Sequence, residues 1–296
     1  MHASEKIVVL TFLACVALLY AAAGGMLLGS IWRKVRKRTV RHSRKFLWLR
    51  RVVYLLAAGG LICMAYGRFV EPRRLEVTHV RVASSRLVGA TRPVRIVQIS
   101  DVHCEPYAGL EETLPDVIAG LSPDVICFTG DAVNDGGAIW RFRRLMARLA
   151  KIAPTLAVRG NWDTGYKPAV DLMATREGVV ELDGNAVKLN LAGADVWFAG
   201  ASPRRQSHIW RALDAAPSGA CKVLLYHYPD PILEVAARGD VDLQLSGHIH
   251  GGQVALPFYG ALVTMSGHGK RYEAGLYRVG AMAVYVNRGI GMGGFG

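Results

Sequence analysis

From residue 94 onward the chain repeats one pattern: a short, nearly unbroken apolar run closing on a turn that carries a nitrogen or oxygen donor. The runs fall at residues 94–100, 124–130, 155–160, 196–200, 222–227 and 241–245. Strands buried on both faces read this way, because no face is left for polar residues. Amphipathic stretches at 110–121, 140–152, 208–215 and 230–237 fit helices covering a parallel sheet. Further strand-like segments at 179–191, 261–265 and 281–287 predict a second sheet. The fold class is therefore α/β, built on at least one buried parallel sheet.

The donors stand where ligands bind in such folds, just past the carboxyl ends of strands. In order they are Asp101-Val-His103, Gly130-Asp131, Gly160-Asn161, His227 and Gly247-His-Ile-His250. Singly, each has an ordinary explanation as a turn residue or a satisfied core histidine. Together, five strand ends would gather two Asp, one Asn and four His in one cleft. In extended backbone His248 and His250, two positions apart, would point to the same side. The flanking glycines would let that segment turn tightly. Carboxylate and imidazole without thiolate suit zinc, manganese or iron rather than calcium. Seven donors exceed one catalytic ion with an open position but suit two divalent ions sharing a bridging carboxylate. Such a pair, roughly 3.5–4 Å apart, can clamp both oxygens of a phosphoryl displacement and ready a water near neutral pH.

The N-terminal part has a different character. Residues 7–28 contain no charge over 22 positions, enough to cross about 30 Å of hydrocarbon as a helix. A cleaved signal peptide would have a shorter apolar core, of about 7–15 residues. A second run, 52–67, needs its flanking apolar residues and snorkelling arginines to span, and otherwise reads as a surface helix. The formal charge is +13, yet residues 1–70 hold twelve Lys/Arg against Glu5 alone. The remaining 226 residues carry 24 Lys/Arg and 22 Asp/Glu, so the basic excess gives no reason to expect a nucleic-acid partner. Ten of the cations lie in the segment 33–51, which the positive-inside rule keeps in the cytoplasm. With two spans, the main domain faces outward from the inner membrane; with only the first, it stays inside. The expected division is 1–70 as membrane anchor and 71–296 as one domain. Cysteines 15, 63, 104, 127 and 221 form no metal or disulfide spacing.

The ordered set Asp101-Val-His103, Gly130-Asp131, Gly160-Asn-Trp-Asp163, His227 and Gly247-His-Ile-His250 resembles the calcineurin-like metallophosphoesterase family, most closely its bacterial membrane-anchored branch. The resemblance covers roughly residues 90–290. It implies a four-layer αββα sandwich, here behind an N-terminal transmembrane segment. It also implies one metal on Asp101, His103 and His250, a second on Asn161, His227 and His248, and Asp131 as bridge. Asp131, Asn161 and His227 form the expected catalytic set, with a hydroxide between the ions attacking a phosphodiester or phosphomonoester. The family's usual histidine after the Asn is Trp162 here, and indole cannot supply a proton. His208 is one candidate to replace it. The glycine-rich end, residues 288–296, stands where relatives add a further strand, so a sheet edge would be bare unless more chain follows. Arg159, Trp162, Tyr166, Arg204 and Arg205 are candidate phosphate or headgroup contacts, and Cys104 a space filler. Asp163 would orient the Asn161 amide or an imidazole. Two other readings stand beside the main one. One is a phospholipid phosphodiesterase or lipid-linked pyrophosphatase, similar to the UDP-2,3-diacylglucosamine hydrolases of lipid A assembly. The other is a non-catalytic metal-binding scaffold.

Overall fold

The computed structural model describes residues 3–165, 178–252, 254–256 and 259–293. The chain divides into two compact units, His2–Arg74 and, apart from Met1, Leu75–Gly296. The first is a helical hairpin of α1 (Ala3–Val35) and α2 (Arg44–Phe69). Both helices are long and apolar enough to cross a bilayer. Ser43 caps α2, its hydroxyl accepting from the Phe46 N–H at 3.2 Å. The Tyr20 hydroxyl donates to the Ala57 carbonyl at 3.0 Å, tying the two helices together. The second apolar run is thus part of a 26-residue helix that begins among the basic residues.

The second unit runs β1 (Ile96–Ile99), α3 (Leu114–Leu121), β2 (Val125–Thr129), α4 (Ile139–Ala150), β3 (Thr155–Val158), α5 (Asn161–Gly165) and β4 (Val179–Glu181). It continues with β5 (Asn185–Leu191), β6 (Ala194–Ala201), α6 (His208–Asp214), β7 (Cys221–Tyr226), α7 (Ile232–Arg238) and β8 (Leu243–Ser246). A small ribbon of β9 (Ala255–Leu256) and β10 (Gly260–Ala261) precedes β11 (Gly275–Val279) and β12 (Met282–Val286). Strands β1-β2-β3-β4 form an all-parallel sheet, and β11-β12-β8-β7-β6-β5 a mixed one with antiparallel outer pairs.

The period-2 side-chain alternation of strands sorts the core into three layers. On β2, Ile126 and Phe128 pack toward α3 and α4 with Ile118, Phe142 and Leu149, while Val125 and Cys127 face the other way. On β7, Leu224 and Tyr226 pack toward α6 and α7 with Ile209, Leu213 and Val235. Val223 and Leu225 turn inward to meet Val125, Leu156, Val158 and Phe198 between the sheets. Helices, sheet, sheet, helices: the expected four layers are present. Each fully buried Leu or Phe contributes about 1.5–3 kcal/mol, so two-sided burial supplies the rigidity on which the strand-end turns depend.

Several sequence expectations need correction. The apolar stretch 179–191 is not one strand: it breaks at Asp183-Gly184, where Gly184 has φ +80, and its halves join different sheets. Runs 196–200, 222–227 and 241–245 belong to the second sheet, alongside β12. Of residues 261–265 only Ala261 is paired, in the separate ribbon rather than in the second sheet. The helix expected from residue 230 starts at Ile232, behind Pro229 and Pro231. The glycine-rich residues 289–291 do not stand free; Ile290 and Gly291 donate backbone N–H groups to the Asp101 carbonyl at 3.2 and 2.8 Å.

The turns after β2 and β3 are locked to each other by one carboxylate. Asp163, fully buried, accepts from the N–H groups of Asp131 (2.8 Å), Ala132 (2.8 Å) and Gly160 (2.7 Å). Its expected service to the Asn161 amide or an imidazole is replaced by this backbone role. Burial, and next the charge of Asp131, push its carboxyl up to about 6 against the pull of the donated N–H bonds. Asp163→Asn places an amide NH₂ against those donors and should cost about 1–3 kcal/mol. A melting temperature lower by several degrees in chelator, where metal binding cannot mask the loss, is the expected outcome; an unchanged value would refute the clamp.

Candidate metal centre

Seven donor side chains reach one pocket from five turns, and the turns share an unusual backbone. Asp101 (φ 50), His103 (φ 45), Asp131 (φ 60), His248 (φ 73) and His250 (φ 54) all adopt left-handed conformations. Only Asp, Asn, His and Gly enter that region with any frequency. Strand β8 ends at Ser246, so His248 and His250 are not in extended backbone; each projects on its own left-handed turn. That overturns the same-side geometry expected from their spacing and sends the two rings to different neighbours. Gly247 makes the approach possible, since a Cβ there would collide with the Ser100 hydroxyl and the Asp101 carboxylate.

The described residues contain two three-donor groups, Asp101–His103–His250 and Asp131–His227–His248, and both are largely buried. His250 Nε2 lies 3.3 Å from Asp101 Oδ1 and 3.2 Å from His103 Nε2. In the other group, His227 Nε2 lies 3.3 Å from Asp131 Oδ2 and 2.9 Å from Asn161 Oδ1. Asp131 Oδ2 also stands 3.7 Å from His103 Nε2, between the two groups.

Neighbouring acceptors set the tautomers. The Thr129 carbonyl can only accept, so His227 Nδ1 carries a proton toward it at 2.7 Å. Asn134 donates from Nδ2 to Glu105 and the Met292 carbonyl, leaving Oδ1 to accept from His103 Nδ1 at 2.7 Å. With Nδ1 of each ring committed to its acceptor, Nε2 of His103 and of His227 is the nitrogen left facing the pocket, the atom a cation would take in exchange for any proton there. His248 is hydrogen-bonded to the Met265 backbone.

Electrostatics follow from crowding. Burial, then the neighbouring His227, bring His248 down to about 4. Burial likewise lowers His103, and both rings are neutral, the ligating form, at physiological pH. Burial would lower His227 too, but the charge and hydrogen bond of Asp131 push it up to about 9. Burial alone would raise Asp101, yet the His250 hydrogen bond and the charges of His227 and His250 hold it far below the carboxylate range. Close-set lone pairs and carboxylates of this kind are the donor chemistry of divalent cations.

Other candidates divide. Trp162 sits at the pocket, 37% exposed, with its backbone N–H on Asp131 Oδ1 at 2.9 Å and its ring edge-on to His103 at 5.4 Å. Arg159 is engaged by Glu181 at 2.6 and 3.2 Å and faces that carboxylate instead of a phosphate. Arg204 and Arg205 are exposed on a turn beside α5. His208 lies against Asp183 at 3.1 Å. Cys104 is buried, and burial drives its thiol far above its ordinary range, so it is inert filler. Tyr166 lies outside the described residues. Asn134, the Thr129 carbonyl and Tyr228, whose ring stands edge-on to His248 at 4.3 Å, were missed by sequence reasoning. Only the Tyr-His-Tyr run at 226–228 hinted at any of them.

The profile of the calcineurin-like phosphoesterases matches residues 94–252. A metallophosphoesterase of Bacillus subtilis, YkuE, is 36% identical over 256 residues, spanning 80% of this chain and 87% of its own length. The phosphodiesterase YaeI of Escherichia coli is 28% identical over 242 residues, spanning 76% of this chain and 85% of its own. A zebrafish (Danio rerio) transmembrane protein with a metallophosphoesterase domain is 26% identical, over 78% of this chain and 56% of its own length. With a profile match over more than half its length and a relative of this closeness, the chain belongs to the calcineurin-like phosphoesterase family and is a metal-dependent hydrolase of phosphoric esters.

Proposed function

We propose that the protein is a membrane-anchored phosphodiesterase with a dinuclear centre. The observation carrying this reading is Asp131 Oδ2, poised 3.3 Å from His227 Nε2 and 3.7 Å from His103 Nε2, where one carboxylate oxygen reaches both donor groups. Asp101, His103 and His250 would hold one cation, Asn161, His227 and His248 the other, and Asp131 would bridge. The donor set accommodates Mn, Zn or Fe. Two divalent cations held there would supply Lewis-acid polarisation of the phosphoryl oxygens and of the attacking water.

The chain's own residues do the rest. Asn134 and the Thr129 carbonyl keep His103 and His227 in the ligating tautomer. Asp163 holds the turns bearing Asp131 and Asn161 at fixed spacing. Trp162 offers one N–H donor and no transferable proton, which favours leaving groups that depart unprotonated, such as phenolates and phosphoanhydrides. The phosphodiesterase name of the Escherichia coli relative supports diesters as the substrate class. The helical hairpin supports a membrane-embedded anchor with its basic segment at the cytoplasmic face and the catalytic domain outside; a lipid-linked diester or pyrophosphate then lies within reach.

Three outcomes test this reading. Asp131→Ala should empty both sites in elemental analysis and lower aryl phosphodiester turnover by about 10³-fold. Retained metal with retained rate would refute the bridge. Trp162→His should speed alkyl leaving groups by up to about 10²–10⁴-fold and leave nitrophenolate almost untouched; equal effects on both would remove the proton-supply argument. For topology, a cysteine at Thr39 should react with an impermeant maleimide only after protoplasts are lysed. Labelling in intact protoplasts would reverse the orientation.

A further inference from the structure

We propose that Met265, Trp162 and Tyr228 form a hydrocarbon-binding rim on the metal centre, which takes the alkyl portion of an amphiphilic phosphodiester drawn from the bilayer. This rests on the phosphoesterase reading above and adds the residues that select the substrate's apolar part.

Two aromatic side chains border the donor groups, one beside each, and the Met265 backbone adjoins the second. Trp162 stands beside His103, ring centroids 5.4 Å apart, and its indole is 37% exposed. Across the pocket, the half-buried Tyr228 ring meets His248 edge-on at 4.3 Å. Met265 is fixed next to the same histidine through its backbone, to which His248 is hydrogen-bonded. Its side chain nevertheless remains 64% exposed.

Met265 carries most of the argument. Its φ is +53, a conformation for which Gly or Asn would be the ordinary choice. An exposed thioether in a left-handed turn contributes little to folding, whereas a flexible, polarisable side chain suits an adaptable apolar contact. A phosphate seated among the seven donors would therefore have the Trp162 ring beside one donor group and the Tyr228 ring beside the other. The occupant follows from the rest of the chain: two helices apolar enough to cross a bilayer make a lipid the nearby molecule that joins phosphate to hydrocarbon.

The test uses the full chain in lipid nanodiscs, loaded with Mn²⁺, with two monomeric substrates: methyl 4-nitrophenyl phosphate and hexyl 4-nitrophenyl phosphate. Calorimetric binding of methyl phosphate and hexyl phosphate runs in parallel. The hexyl compounds should show KM and Kd at least about tenfold lower than the methyl ones, as burial of added methylenes requires. Met265→Asn, which suits the left-handed turn and so preserves the fold, should bring the hexyl-to-methyl ratio close to unity. Met265→Leu should keep the wild-type ratio. Partition into the disc is common to all variants and cancels in that comparison. A flat chain-length profile in the wild type, or a wild-type ratio in Met265→Asn, overturns the rim. Chain-length-dependent binding without any turnover would instead sustain the rim and sink the phosphoesterase reading.

Discussion

The centre depends on forcing lone pairs together, and the backbone carries the cost. Five of the seven donors, Asp101, His103, Asp131, His248 and His250, occupy left-handed conformations, each costing about 1–3 kcal/mol. Such turns persist only where the surroundings over-determine them. Here ladder pairing runs past the strand ends: Asp101 N–H donates to the Gly130 carbonyl and His103 N–H to the Asp131 carbonyl, at 2.8 and 3.1 Å. Without a cation, imidazole–carboxylate pairs such as His227–Asp131 and His250–Asp101 offset part of that crowding; a cation would take over the same donors.

The centre also straddles two sheets. Asp101, His103, Asp131 and Asn161 follow strands of the parallel sheet, whereas His227, His248 and His250 follow strands of the mixed one. Their relative position is set by the inter-sheet core of Val125, Leu156, Phe198 and Leu225. Direct polar links reinforce it, from His227 to the Thr129 carbonyl and from Gln98 Nε2 to the Ser246 carbonyl at 2.9 Å. Packing changes deep between the sheets therefore alter donor spacing at the rim, as expected of close-packed interiors that transmit strain.

The runs that became β2, β3 and β7 were legible in the sequence because burial on both faces leaves an unbroken apolar signature. The donors were legible because Asp, Asn and His at successive strand ends have no common structural reason to recur. What stayed hidden depends on direction rather than residue type. Nothing local distinguishes an Asp163 aimed at three backbone N–H groups from one aimed at an imidazole. Arg159 looked available for phosphate until the chain brought Glu181, 22 residues on, against its guanidinium. The stretch 179–191 reads as one strand because the break at Gly184 costs no hydrophobicity, only a turn. Asn134 lies in an unremarkable loop and acquires its role solely by facing His103.

The contacts of residues 289–292 set the order in which the centre can assemble. Ile290 and Gly291 bond the Asp101 turn, and the Met292 carbonyl receives the amide that steadies His103. These closures join positions 158 to 190 residues apart, so their loop entropy is met after the local strand–helix units have formed. The Asp101 turn and the amide that orients His103 are therefore complete only once the segment through residue 292 has docked.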